Sequence, residues 1–353
     1  MKVCNAFCAL NHQVTLWVPG SNPGVKWDDL KSMYGTGYDF PIHWLRSPDI
    51  FRKYDFSLRA VFAARFWGAD LLYVWPLQAA ALASRLKLPT LLEAHDRPRG
   101  RLGPSLMRWY LTGAGAVRLL PITVALRQWL ANFYRVELAE PFALVSPMGV
   151  DLKQYDNLPD PIEARRQLEL PEGFTAGYTG HLYPGRGLEL LYQVALRKPD
   201  IKFLWVGGEK SAVDLWRERV EKDGIRNLHI HGFVPNEELP LFQAACDVLM
   251  MPYESKVSVS SGADTAAFAS PMKVFEYMAV GRLILSSDLP VLREVLNSTN
   301  SVILPMDQVE AWCNTLQEMM VDPARRKSLA EHARADVFQY SWIERAKRSI
   351  QDL

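Results

Sequence analysis

Short apolar runs alternate with longer stretches of helical period along most of the chain. In the first half the pattern predicts a helix over residues 1–10, a turn from Asn11, and a strand over 14–18 ending at Pro19 and Gly20. Residues 21–60 read as mostly loop. Beyond them a helix is expected near 57–66, a buried strand over 70–75, a small-residue helix over 77–86, and a strand over 89–96. The second half predicts strands over 174–178, 201–206, 228–234, 248–253, 283–286 and 301–304. Between them lie helices over 188–196, 214–222, 237–245 with Asn236 as cap, and a short one over 292–296. Residues 307–353 read as helical, broken near Pro323 and around Tyr340 and Ser341. Alternating strands and helices mark parallel sheets covered by helices, so both halves are expected to be α/β.

The stretch Ser270-Pro-Met-Lys273-Val-Phe-Glu276-Tyr-Met-Ala-Val-Gly281 organises the second half. Ser270 is suited to cap a helix and Pro271 to its first position, where no N–H is required. Lys273, Glu276 and Tyr277 then share a face while Phe275, Met278 and Ala279 pack inward, and Gly281 ends the helix. At that end, free N–H groups and the helix dipole favour a phosphate. A solvated Lys–Glu pair on an ordinary amphipathic helix is the competing reading.

A length of 353 residues exceeds one ordinary core and implies two domains. With 49% hydrophobic residues and a net charge of +1, the composition excludes a disordered chain. No apolar run approaches the ~20 residues that span a bilayer, and the N-terminus lacks a signal pattern, so a cytoplasmic protein is expected. Cys4, Cys8, Cys246 and Cys313 show no C-x-x-C spacing and read as buried free thiols. The near-neutral total hides an asymmetry. Residues 1–150 hold 17 Lys and Arg against 10 Asp and Glu, leaving 23 against 29 for residues 151–353.

Polar residues at the carboxyl end of a parallel strand are where such folds bind ligands, which makes His95 a candidate; a satisfied structural pair with the adjacent Asp96 is the alternative. From Arg97 to Arg135 seven arginines and no acid are interleaved with aromatic residues. A basic aromatic surface suits anionic lipid headgroups or nucleic acid, and the lack of any nucleic-acid motif favours the membrane. A solvated basic face over an aromatic core stays open beside it. Further on, Gly180-His-Leu-Tyr-Pro-Gly185-Arg186-Gly187 joins a strand to a helix. Glycines there let backbone N–H groups approach phosphates, and Arg186 adds a cation that can grip them. The loop matches neither the dinucleotide fingerprint nor the P-loop. His229 and His231 alternate with apolar residues and lack the companions of a metal pair.

Taken together, residues 146–353 resemble the GT-B glycosyltransferases of family GT4, in a Ser-Pro-x-Lys-x-x-Glu-Tyr branch. The residues that carry the resemblance are Ser146-Pro-Met-Gly-Val-Asp151, the loop from Gly180 to Gly187, Val206-Gly-Gly208, His231-Gly-Phe-Val234, and the stretch from Ser270 to Ala279. Asp288-Leu-Pro-Val-Leu-Arg-Glu294 and Tyr340-Ser-Trp342 also fit. The resemblance implies two Rossmann-like domains facing a cleft: residues 1–145 for the acceptor, with a last helix over 340–353 crossing back, and residues 146–339 for a nucleotide sugar. Such a fold normally begins with a strand and a glycine-bearing loop, whereas this chain opens on a helix, so the first strand of the N-terminal domain is expected to be missing.

The implied activity is a retaining, metal-independent transfer of a sugar, without a cofactor, to a lipid-linked or polysaccharide acceptor at the inner membrane face. Glu276 would hold the ribose hydroxyls, Arg186 and Lys273 the diphosphate, and the backbone at Phe233 and Val234 the base. Gly180, Gly185, Gly187 and Ser270 would complete the donor site, and His95 would stand near the sugar. Absence of an Asp-x-Asp pair agrees with the expected metal independence. Three departures stand out: Phe268 where the family often carries a second glutamate, with Asp264 the nearest acid on that side; His181 where arginine is common; and the missing opening strand. A non-catalytic binding protein on the same fold, or a nucleotide-sugar epimerase, are the alternatives.

Overall fold

The computed structural model describes residues 1–51, 53–255 and 267–353. The chain divides into two compact units, Met1–Pro147 together with Trp342–Leu353, and Met148–Ser341.

In the first unit the strands are β1 (Leu16–Pro19), β2 (Ile42–Leu45), β3 (Leu72–Val74), β4 (Thr90–Ala94) and β5 (Ala116–Pro121). Its helices are α1 (Lys2–Ala9), α2 (Trp27–Tyr34), α3 (Tyr54–Trp67), α4 (Leu77–Arg85), α5 (Gly103–Leu111) and α6 (Val124–Tyr134). β3, β4 and β5 form a parallel sheet in that order, and β1 pairs with β2, also in parallel. Every residue of β4 is buried, as expected of a strand covered on both faces.

β5, α2 and β2 were not expected. The apolar run of β5 contains Arg118, which the sequence reading assigned to the basic surface. Arg118 is in fact 3% exposed, and its guanidinium donates to the carbonyls of Pro141, Arg348 and Ser349 at 3.0–3.2 Å. A buried charge is tolerated when its donors are satisfied in this way.

The second unit contains α7 (Pro161–Gln167), β6 (Thr175–Thr179), α8 (Leu188–Arg197), β7 (Lys202–Val206), α9 (Lys210–Lys222), β8 (Leu228–Gly232), α10 (Leu239–Ala244) and β9 (Val248–Met251). It continues with α11 (Met272–Val280), β10 (Leu283–Ser287), β11 (Val302–Leu304), α12 (Val309–Val321) and α13 (Pro323–Asp336). The strands make one parallel sheet in the order β11-β10-β9-β6-β7-β8. β6, β9 and β10 are buried at every residue, whereas the edge strand β8 alternates, exposing His229 and His231. Trp205, Trp312, Tyr178 and Phe203 fill the core, each side chain contributing about 1.5–3 kcal/mol by burial. α14 (Trp342–Ile350) then closes the chain and belongs to the first unit, where it packs on α1.

Several expectations are corrected. α11 begins at Met272, with Pro271 at its cap position, and no side chain caps it. The Ser270 hydroxyl instead accepts the Met148 N–H at 3.0 Å, because a residue before proline is held extended and points away from the helix. Asn236 does not cap α10, which starts only at Leu239 after a turn closed by Glu238 N–H on Pro235. Residues 292–296 are successive turns rather than a helix. Cys246 and Cys313 are buried free thiols, but Cys4 and Cys8 are only half-buried. Asp264 lies outside the described residues. Among the described residues no helix is long and apolar enough to cross a membrane.

Candidate active site

In an open parallel sheet the ligand crevice lies at the carboxyl ends of the strands, where the order reverses. Here β6 is hydrogen-bonded to β7 on one side and to β9 on the other, so that point falls between β6 and β9. The Gly180–Gly187 loop leaves β6 and Tyr253 follows β9, so both stand at the switch point, and α11 presents Lys273 to the same place.

Lys273 Nζ lies 4.1 Å from the ring centroid of Tyr178 and 5.3 Å from that of Tyr253. The Arg186 guanidinium stacks 4.6 Å from the Tyr253 centroid and donates to the Tyr253 hydroxyl. Lys273 Nζ and Arg186 Nε are both buried without a hydrogen-bond partner among the described residues. Two cations thus converge on aromatic faces, which stabilise them only in part. Burial depresses the Lys273 pKa well below the lysine range, the neighbouring Arg186 adds to this, and Glu276 opposes it. Tyr253 is pushed up to about 12, chiefly by burial and against the pull of Arg186.

The glycines build this space. Gly180 has φ +135°, and a Cβ there would lie 2.5 Å from Lys273 Nζ, so any side chain would occupy the ammonium's place. At Gly187 a Cβ would fall 1.7 Å from the Pro252 carbonyl oxygen, which makes glycine a packing requirement at the start of α8. Gly185 accepts the Glu254 N–H at 3.0 Å, tying the loop to the end of β9.

Glu276 is reached by the buried Gln243, whose amide lies 3.5 Å from a carboxylate oxygen and donates to Thr179 at 3.2 Å. Tyr277, four residues from Lys273 in α11, lies on the same side of the helix as expected but is fully buried, and its hydroxyl accepts the Thr179 N–H at 2.8 Å. Phe233 is 80% exposed and Val234 buried, in the loop after β8. Phe268 is buried. His181 stacks on Tyr183, whose hydroxyl donates to Glu209 at 2.7 Å.

His95 lies in the first unit, at the end of β4. Its Nε2 pairs with Glu93 at 2.5 Å, and Glu93 also accepts from Tyr73 and meets Arg345 of α14 at 2.9 Å. Sequence reasoning missed Glu93, Tyr73 and Arg345. Burial raises the Glu93 pKa, but the bond from His95 and the charge of Arg345 outweigh it and hold the carboxyl at about 2. Among the described residues no three His, Cys, Asp or Glu side chains converge.

Residues 173–322 match the family described as glycosyl transferases group 1. The whole chain superposes on the HepE protein of Anabaena in complex with UDP, with a TM-score of 0.74 and 16% identity over 98% of this chain and 94% of that one. A glycosyltransferase of Rickettsia africae gives a TM-score of 0.75 at 14% identity, over all of this chain and 94% of that one. The fold is therefore GT-B. By sequence, TuaH of Bacillus subtilis, described as a candidate teichuronic acid biosynthesis glycosyltransferase, is 29% identical over 36% of this chain. The 2-deoxystreptamine glucosyltransferase of Streptomyces kanamyceticus is 25% identical over 74% of it. The matched stretches span 30% of the first relative's length and 70% of the second's.

Proposed function

We propose that the chain is a retaining, metal-independent hexosyltransferase that moves a sugar from a nucleoside diphosphate sugar to a glycan or lipid-linked acceptor. One observation carries this reading: a buried ammonium, Lys273, and a buried guanidinium nitrogen of Arg186 meet at the switch point without hydrogen-bond partners among the described residues. A diphosphate supplies the missing acceptors, and as the sugar–phosphate bond breaks, both cations stabilise the charge growing on the leaving group. Glu276 holds the ribose, and the backbone around Phe233 and Val234 the base. The glycines of the loop bring backbone N–H groups close to the phosphates. His95 stands near the sugar, and Ser270 serves the donor site by fixing the approach to α11. The match of residues 173–322 to the group 1 transferases supports the donor site, and UDP in the HepE complex makes uridine the first base to test.

A place at the cytoplasmic face of the membrane is supported by α3, which exposes Leu58, Phe62 and Phe66 beside Arg59 and Arg65. A non-catalytic, nucleotide-binding role is the second reading, favoured by the buried Phe268 where relatives of this kind often carry a carboxylate. Thermal shift with UDP, GDP and ADP, without metal, tests the donor site. One diphosphate is expected to stabilise the protein, and Lys273→Met to weaken its binding by about 1.5–3 kcal/mol, the worth of a charged hydrogen bond. No shift with any of the three would overturn the reading. Release of UDP from a UDP-sugar separates the catalytic from the non-catalytic version.

A further inference from the structure

The first unit contains a cavity of about 1210 Å³ at the carboxyl ends of β3 and β4, lined among the described residues by side chains between Tyr54 and Met107. Trp75, Gln78 and His95 line it, and Arg97, Arg99 and Arg101 stand along it. Trp75 is 57% exposed, and its ring centroid is 5.0 Å from that of His95. An indole face open to a cavity, with hydrogen-bonding side chains beside it, suits the apolar face and hydroxyls of a sugar ring.

The charges of this cavity do not cancel. Its two acids are Glu93 and Asp96. Glu93 is already bound by Arg345, Tyr73 and His95, and Asp96 by Arg99 and by the backbone N–H of Arg97 at 2.7 Å. The guanidinium groups of Arg97 and Arg101 have no ionic or hydrogen-bonding partner among the described residues and are exposed at the cavity. Planar guanidinium forks match carboxylate and phosphate oxygens, so this surplus charge has a definite complement.

We infer that the cavity binds an acceptor sugar carrying an anionic group, a carboxylate or a phosphate, with the ring on Trp75 and the anion on Arg97 and Arg101. This rests on the glycosyltransferase reading and adds to it the chemical class of the acceptor. It also gives the basic stretch after β4 a task distinct from lipid contact.

The test uses the full chain and titrates glucose, glucuronate, glucose 6-phosphate and inorganic phosphate by ligand-observed NMR, with the UDP thermal shift read on the same samples. Glucuronate or glucose 6-phosphate is expected to bind about 10–100-fold more tightly than glucose, the range of a charge-assisted bond, and more tightly than phosphate alone. The preferred sugar tells a carboxylated acceptor from a phosphorylated one. Arg97→Ala with Arg101→Ala should remove the preference and leave the melting temperature and UDP shift unchanged, since both side chains are exposed. Trp75→Ala should weaken charged and neutral sugars alike. Equal binding of charged and neutral sugars, phosphate binding as tightly as its sugar ester, or an intact preference in the double variant would overturn the inference. Failure of UDP to stabilise the wild-type protein counts instead against the donor-site reading.

Discussion

Lys273 is held in surroundings that oppose its charge. The unfolded chain keeps its ammonium protonated up to the ordinary lysine value of 10.5, whereas burial and Arg186 lower that value in the folded protein. Between the two values the folded state binds fewer protons, so this group's contribution to stability rises with pH and is least below the folded pKa. A bound diphosphate reverses the balance by favouring the ammonium. UDP is therefore expected to take up a proton on binding, and its affinity to fall as pH climbs through the depressed pKa toward 10.5. Calorimetry in buffers of different ionisation heat, across about pH 6–10, measures that uptake, which Lys273→Met should abolish. The same substitution should stabilise the ligand-free protein by about 1–3 kcal/mol, because it removes an unpaired buried charge. A variant that is less stable, or uptake that survives in it, would place the free proton on another group.

Between elements, a buried polar bridge ties β4 to α14 in the first unit. Arg345 donates to the Pro147 carbonyl at 2.7 Å and the Tyr73 hydroxyl at 2.8 Å, and faces Glu93 at 2.9 Å. Glu93, held at about 2 against its free value of 4.5, contributes stability present in full above 4.5 and lost as pH falls toward and through about 2. Arg345→Met leaves that carboxylate buried and one partner short, so a loss of about 3–5 kcal/mol is expected by chemical denaturation, with a flatter acid limb in the pH profile. No amount of strand or helix periodicity could have revealed this pair, because its members are far apart in sequence and Glu93 sits in a run that reads as core. The second-unit strands and the helix from Met272 to Gly281 were legible because each is a buried run or an amphipathic stretch with local punctuation. The Gly180 loop and Lys273 could each be singled out from local residue chemistry, but not their mutual fit: Gly180 leaves room for the ammonium of a residue far along the chain. Ser270 and Tyr277 misled for one reason. Local rules gave their spacing, and tertiary partners, Met148 and Thr179, took their hydroxyls.

At the scale of the whole molecule, the chain leaves its first unit at Pro147, builds the second, and returns at Trp342. The returning segment supplies Arg345 and the carbonyls of Arg348 and Ser349 that satisfy Arg118 of β5. The first unit thus depends on residues that follow the second, while the residues proposed to hold the nucleoside diphosphate lie within Met148–Ser341. Truncation after Ser341 should therefore separate the two stabilities. It leaves Glu93 and Arg118 buried without those partners, and it removes the packing of Trp342 and Ala346. Hydrogen exchange should lose protection across β3, β4 and β5, while UDP still protects the Gly180 loop and α11. In the full chain the same ligand should protect the second unit's site without altering β3 to β5. Loss of the UDP response together with first-unit protection would mean that the two units fold as one.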